Sequence, residues 1–276
     1  MKLELLSAIP EGAKRRVSVL LMHGICLGAW VWTNNFMPYL AGQGFPAYAL
    51  SLRGHGESDG GARVGQWGVK DFSDDLAWAI EQIGGPVVVV GHSMGGGVAQ
   101  AYLRQGRSMA GLVLMASVPP HGLLRASMSM YNRNPKLWEE LQKTRSGRLT
   151  DADFAIVEKG LLSEPLTPQT RKAMLRRLNE PAIQASIELM GWHPIAPLPW
   201  LAPPTLVLGG ERDEFIPATD VMLTGVYYGV TPSIVRGCAH AIMLERSWET
   251  AADLVCEWLI RRFAGSGASG QRNQSV

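Results

Sequence analysis

The chain has 276 residues, a formal net charge of +2, and 46% hydrophobic against 18% charged residues. That length lets one domain bury a sizeable core, and so small a charge argues against a nucleic-acid or anionic-membrane partner. Three cysteines, Cys26, Cys238 and Cys256, form neither a CxxC pair nor a zinc spacing, which suits free thiols in a reducing compartment. The opening "MKLELLSAIPEGAKRR" lacks the apolar core of a secretory leader, and no run reaches the roughly 18 apolar residues of a membrane span. A cytoplasmic chain is expected.

In chain order, "RVSVLLMHG" (16–24) reads as a strand that ends in His-Gly. "FPAYALSLRGHG" (45–56) is a second, entered through Pro46, and a helix over 71–83 stops at Gly84-Gly85. "PVVVVGH" (86–92) is a third strand and leads into a helix over 93–105; "GLVLMAS" (111–117) is a fourth. "PTLVLGG" (204–210) and "PSIVRG" (232–237) are the fifth and sixth, followed by a helix over 248–263. These runs are continuously apolar, as strands of a parallel sheet covered on both faces are. The alternation with helices predicts an α/β fold, a mostly parallel sheet with helices on both sides.

Residues 119–203 break the rhythm, because they hold Met-, Leu- and Arg-rich segments at helical spacing and no buried strand. The expected division is a core of 1–118 and 204–263, a helical cap of 119–203, and a disordered small-residue tail of 264–276.

Gly91-His92-Ser93-Met94-Gly95 is a G-x-S-x-G sequence that follows a strand and opens a helix, the context in which the serine is presented on a sharp turn. A serine hydroxyl needs a base, and the base an orienting carboxylate. Beyond the fifth strand, "LGGERDEFIP" offers Glu211, Asp213 and Glu214; beyond the sixth, "RGCAHAIMLE" offers His240. Both loops lie past the carboxyl ends of strands, where open α/β sheets bind ligands. No second ligand cluster supports a metal at the three carboxylates, and no cofactor is expected.

With "LLMHGICLGAW", "LSLRGHGES", "GHSMGG", "GGERDEFIP" and "GCAHAIMLE" in this order, the chain resembles the α/β-hydrolase fold superfamily over nearly its whole core. The resemblance implies Ser93 as nucleophile, His240 as base and Asp213 as acid, since Asp213 precedes the hydrophobic-proline pair Ile216-Pro217. Glu211 and Glu214 remain alternatives for the acid. It also implies an oxyanion hole from the backbone N–H groups of Ile25 and Met94, with His23, His55 and His92 in structural turns. The segment "HGICLGAWVW" is similar to plant methylesterases and hydroxynitrile lyases, and the histidine before the serine favours an esterase over a lyase. One departure is Leu50-Ser51-Leu52, where the "RGHGES" loop usually follows an aspartate.

The implied reaction is hydrolysis of carboxylic esters of small to medium apolar substrates through an acyl-enzyme, with a small-molecule ester as the substrate partner and the oligomeric state left open. Cys26, Met128, Tyr131, Trp138 and Trp192 are expected to wall the substrate pocket. Other chemistries open to the same triad are C–C bond hydrolysis, lactone hydrolysis and cofactor-free perhydrolysis, and a non-catalytic ligand receptor would reuse the fold alone.

Overall fold

The predicted valine- and leucine-rich runs form one sheet. The structure is a computed structural model that describes residues 1–144 and 151–263, apart from the side chains of 142, 144 and 151–153. Its strands are β1 (Glu4–Ala8), β2 (Ser18–Met22), β3 (Ala47–Ser51), β4 (Val87–His92), β5 (Gly111–Met115), β6 (Thr205–Gly210) and β7 (Ser233–Val235). The helices of the first half are α1 (Phe36–Gly42), α2 (Val69–Ile83), α3 (Met94–Arg104), α4 (Leu124–Arg133) and α5 (Pro135–Thr144). Those of the second are α6 (Asp151–Leu161), α7 (Pro168–Leu175), α8 (Ile183–Glu188), α9 (Ala218–Tyr228) and α10 (Trp248–Phe263).

The sheet order is β1-β3-β2-β4-β5-β6-β7, parallel throughout except for β1, which runs antiparallel to β3. The six parallel strands are those read from the sequence. β1 was not expected there: it is a short edge strand, only partly buried, whose "ELLSA" has no clean alternation.

Successive side chains of a strand point to opposite faces, so each strand feeds two cores. Val19 and Leu21 of β2 pack with Leu40 of α1 and with Val255 and Leu259 of α10. Leu20 and Met22 pack on the other face with Phe72 and Leu76 of α2, Val98 of α3 and Val221 of α9. This double coverage is why the strands read as unbroken apolar runs. From β2 the chain moves to β3 on one side, whereas β4 is followed by β5, β6 and β7 on the other. The direction of winding reverses between β2 and β4, and the crevice outside their carboxyl ends is the usual ligand site of such sheets.

Helices α4 to α8 are inserted between β5 and β6, and no strand interrupts them among the described residues. The tail from 264 lies outside the described residues, and with it the expectation of disorder. No helix among the described residues is long and apolar enough to cross a membrane.

Candidate active site

β4 ends at His92 and α3 begins at Met94, so Ser93 alone turns the corner, with φ 51° and ψ −117°. A non-glycine residue held there stores on the order of 1–3 kcal/mol of strain. The flanking sequence makes the turn possible. A Cβ on Gly91 would sit 2.5 Å from the Gly96 Cα, and one on Gly95 would sit 2.6 Å from the His23 carbonyl oxygen. The Ser93 N–H donates to the Met115 carbonyl (3.2 Å), and its carbonyl accepts from Gly96, Gly97 and Val118 N–H. The backbone is thus fixed, while the Ser93 hydroxyl makes no hydrogen bond among the described residues.

The loops after β6 and β7 bring Asp213 and His240 together. His240 Nδ1–H donates to Asp213 Oδ2 at 2.8 Å, with side-chain exposures of 5% and 0%. Asp213 Oδ1 accepts from the N–H groups of Phe215 and Ile216, both at 2.8 Å, so neither carboxylate oxygen is left to turn. The His240 ring neighbours those of Phe215 and His92, each 4.8 Å away between centroids. Nδ1 carries the proton, which leaves Nε2 as the basic nitrogen. Of the alternative acids, Glu211 accepts from Gly237 N–H (2.9 Å) and Glu214 faces Arg133 (3.7 Å); neither meets the imidazole.

His92 had no role in the sequence beyond its turn. Here its Nε2–H donates to the His240 carbonyl at 3.0 Å, which links the residue before Ser93 to the main chain of His240. No local signal marks this pair, whose members stand 148 positions apart.

The turn after β2 presses on the serine: a Cβ on Gly24 would lie 3.0 Å from the Ser93 Cβ. The N–H groups of Ile25 and Met94 find no acceptor among the described residues. Cys26 is held at φ 63° with its carbonyl accepting from Asn179 N–H (2.9 Å), and Asn179 Oδ1 accepts from Gly56 N–H (3.0 Å). Burial pushes the Cys26 thiol up to about 12, so it stays protonated and acts as a packing group. The departure at Ser51 has a partner from β1. Ser51 Oγ accepts from Ala29 N–H (2.8 Å) and donates to Glu4 Oε2 (2.5 Å), so a carboxylate is supplied from the edge strand. Arg53 fixes the same loop to α2 through Asp75 (2.6 Å) and Asp71 (3.1 Å).

Three neutral histidines are buried beneath the site. Desolvation lowers His23 from 6.5 to about 3 and His55 to about 4, and holds His92 well below 6.5. Above pH 6.5 these rings are neutral in the folded and unfolded chain alike. Below it the unfolded chain binds protons that the folded chain refuses, so stability is complete above 6.5 and declines as pH falls toward the folded values. Each ring contributes a slope of up to about 1.4 kcal/mol per pH unit. Urea midpoints measured from neutral pH downward are expected to fall in step, and more shallowly in His55→Gln. An unchanged slope in that variant would show that His55 is already protonated in the fold.

The expected pocket residues are only partly gathered. Cys26 is at the turn, and Trp138 packs against the core beside Tyr131 (6.3 Å between rings). Met128, Tyr131 and Trp192 are 60%, 58% and 67% exposed. On α4, Ala126 and Met130 share the buried face, and the positions two before and one after Met130 necessarily turn outward. Trp192 borders a surface groove with Ile187, Ile195 and Ala101, which none of Ser93, Asp213 and His240 lines. Among the described residues no group of three or more His, Cys, Asp or Glu is arranged to hold a metal ion.

Residues 19–254 match the alpha/beta hydrolase family, and the chain belongs to it. It is similar to epoxide hydrolase 3 of Xenopus tropicalis, 26% identical over 263 residues that cover 87% of this chain and 71% of that one. In fold it is similar to an esterase from Exiguobacterium antarcticum, with a TM-score of 0.72 at 16% identity, over 93% of this chain and 95% of that one. A thermophilic esterase from Thermogutta terrifontis aligns with a TM-score of 0.65 at 23% identity, over 95% and 94% of the two chains.

Proposed function

We propose that this hydrolase cleaves carboxylic esters of small to medium apolar substrates, with Ser93 as nucleophile, His240 as general base and acid, and Asp213 as its orienting carboxylate. The observation that carries the reading is the buried His240–Asp213 pair at 2.8 Å, joined to His92, the residue next to a serine held at φ 51° with a free hydroxyl. Ser93 Oγ attacks the ester carbonyl carbon as His240 Nε2 takes its proton. The N–H groups of Ile25 and Met94 receive the oxyanion, each such donor being worth about 3 kcal/mol of barrier. The alcohol leaves with the proton from His240, and water, activated the same way, releases the acid and restores Ser93.

The nucleophile also bears on the relative named for epoxides. A serine oxygen that opened an epoxide would be left as an ether, which water does not cleave by the carbonyl chemistry above. A serine ester is cleaved by it, so Ser93 favours acyl transfer.

In this reading residues 119–203 act as a cap over a core of 1–118 and 204–263. Support for an apolar substrate comes from the cap's inward side. Met130, Leu137, Phe154 and Val157 are buried in the core cluster on which Phe215 packs, and the Phe215 ring lies 4.8 Å from that of His240. A fluorophosphonate probe is expected to label wild-type chain at Ser93 and a panel of chromogenic esters to be turned over, fastest for short and medium acyl chains. Labelling that persists in Ser93→Ala would remove the nucleophile assignment, and products from a β-diketone, a lactone or peroxide in place of the esters would redirect the substrate.

A further inference from the structure

We infer that Glu245 is a positioning residue for His240, one that fastens the main chain of the imidazole to the helical insertion; this rests on reading His240 as the base. Glu245 is 4% exposed. Its Oε1 accepts from the N–H groups of Ala239 and Ser163, both at 2.8 Å, and its Oε2 accepts from the Ser163 hydroxyl at 2.6 Å. No Lys, Arg or His pairs with it among the described residues.

A buried carboxylate without a counter-ion is costly unless donors converge on it. A leucine would fill this space without that cost, so the value of the carboxylate lies in the groups it joins. Ala239 immediately precedes His240. On the other flank the Ala241 N–H donates to the carbonyl of Leu161, at the end of α6 (2.8 Å). Ser163 and Leu161 both belong to the insertion, so each neighbour of His240 is bonded to it, one through Glu245 and one directly. The His240 carbonyl is held from the third side by His92. With Asp213 on Nδ1, the ring has one place to stand, and Glu245 accounts for one of the fastenings that put it there.

The donor set separates replacements. Glutamine keeps one carbonyl oxygen for the two amides, and its NH₂ can donate to the Ser163 hydroxyl, which reverses its own role. Alanine leaves the Ala239 and Ser163 amides buried without acceptors. A displacement of about 1 Å in a reacting group lowers turnover on the order of 100-fold.

The test uses the full chain, with active sites titrated by fluorophosphonate. Glu245→Ala is expected to lose on the order of 100-fold in kcat per titrated site at little changed KM, and Glu245→Gln to regain most of it. A purely structural role would lower thermal stability in both yet leave kcat per site unchanged, and that result would overturn the proposal. A second readout needs no substrate: the downfield His240 Nδ1–H resonance is expected to exchange faster with solvent in Glu245→Ala than in wild type. Should Glu245→Ala not fold, Ser163→Ala removes a single donor and takes its place; unchanged kcat together with an unchanged Nδ1–H exchange rate would overturn the proposal. A wild-type chain inactive on every ester would count against the proposed reaction alone, since the proton resonance still reports on the fastening.

Discussion

Replacing Ser93 by alanine is expected to lower kcat on a chromogenic ester by about 10⁶-fold, the scale seen when a triad nucleophile is removed elsewhere. A residual rate of about 10³ over water would persist, because the amides of Ile25 and Met94 are main chain and survive the substitution. KM is expected to change little, since the hydroxyl does its work in the transition state. Stability should move differently from activity. Alanine keeps the Cβ and hence the strain at φ 51°, whereas Ser93→Gly releases it. Glycine at this position is expected to unfold about 1 kcal/mol later than alanine, although both are inactive. Steady-state kinetics and urea titrations of the two variants check both halves. A glycine variant less stable than alanine would mean that the elbow is held without strain.

Asp213→Asn is expected to reduce kcat by about 10⁴-fold with the fold intact. The reason is directional. Oδ1 already accepts two main-chain N–H groups, from Phe215 and Ile216, so the asparagine carbonyl oxygen is claimed by them. The amide NH₂ is then turned to His240 Nδ1, which must become an acceptor, and the ring proton moves to Nε2. An imidazole in that tautomer cannot take the proton of Ser93. Glu211→Gln should leave kcat at the wild-type level, because Glu211 is engaged with Gly237 instead. Equal losses in the two variants would contradict the assignment of the acid, and pH–rate profiles of both would show which carboxylate tunes the base.

The parallel part of the fold was legible because β2 to β6 are almost wholly buried, so their apolar runs needed no partner to be recognised, and β7 at the far edge keeps a short apolar run between Pro232 and Gly237. β1 was not, because it is nowhere fully buried and its run is interrupted by Glu4 and Ser7. α9 also escaped: its buried Asp220 and Thr224 break the apolar stripe, and Asp220 is satisfied by His121 (3.0 Å) and Arg125 (2.6 Å) from the insertion. At the site, the serine announces itself because the glycines its turn demands are its neighbours in sequence. Among Glu211, Asp213 and Glu214, the residues alone left the acid open and only the resemblance chose. The helical phase of the insertion was lost, since a Met-rich segment does not say which of Met128 and Met130 points inward. His92 and Glu245 were invisible for a related reason: their partners, His240, Ala239 and Ser163, come from other loops, and a hydrogen bond across the fold leaves no periodicity behind.

The insertion is stitched to the rest of the molecule at separated points: Asn179 to Cys26 and Gly56, Ser163 to Glu245, Leu161 to Ala241, and Glu188 to the Val69 N–H (2.7 Å). Lifting it as one hinged flap would tear all of these seams together. In the proposed reading of the insertion as a cap, admission of a reactant and departure of its products would therefore fall to small rearrangements of side chains and not to a swing of the whole segment.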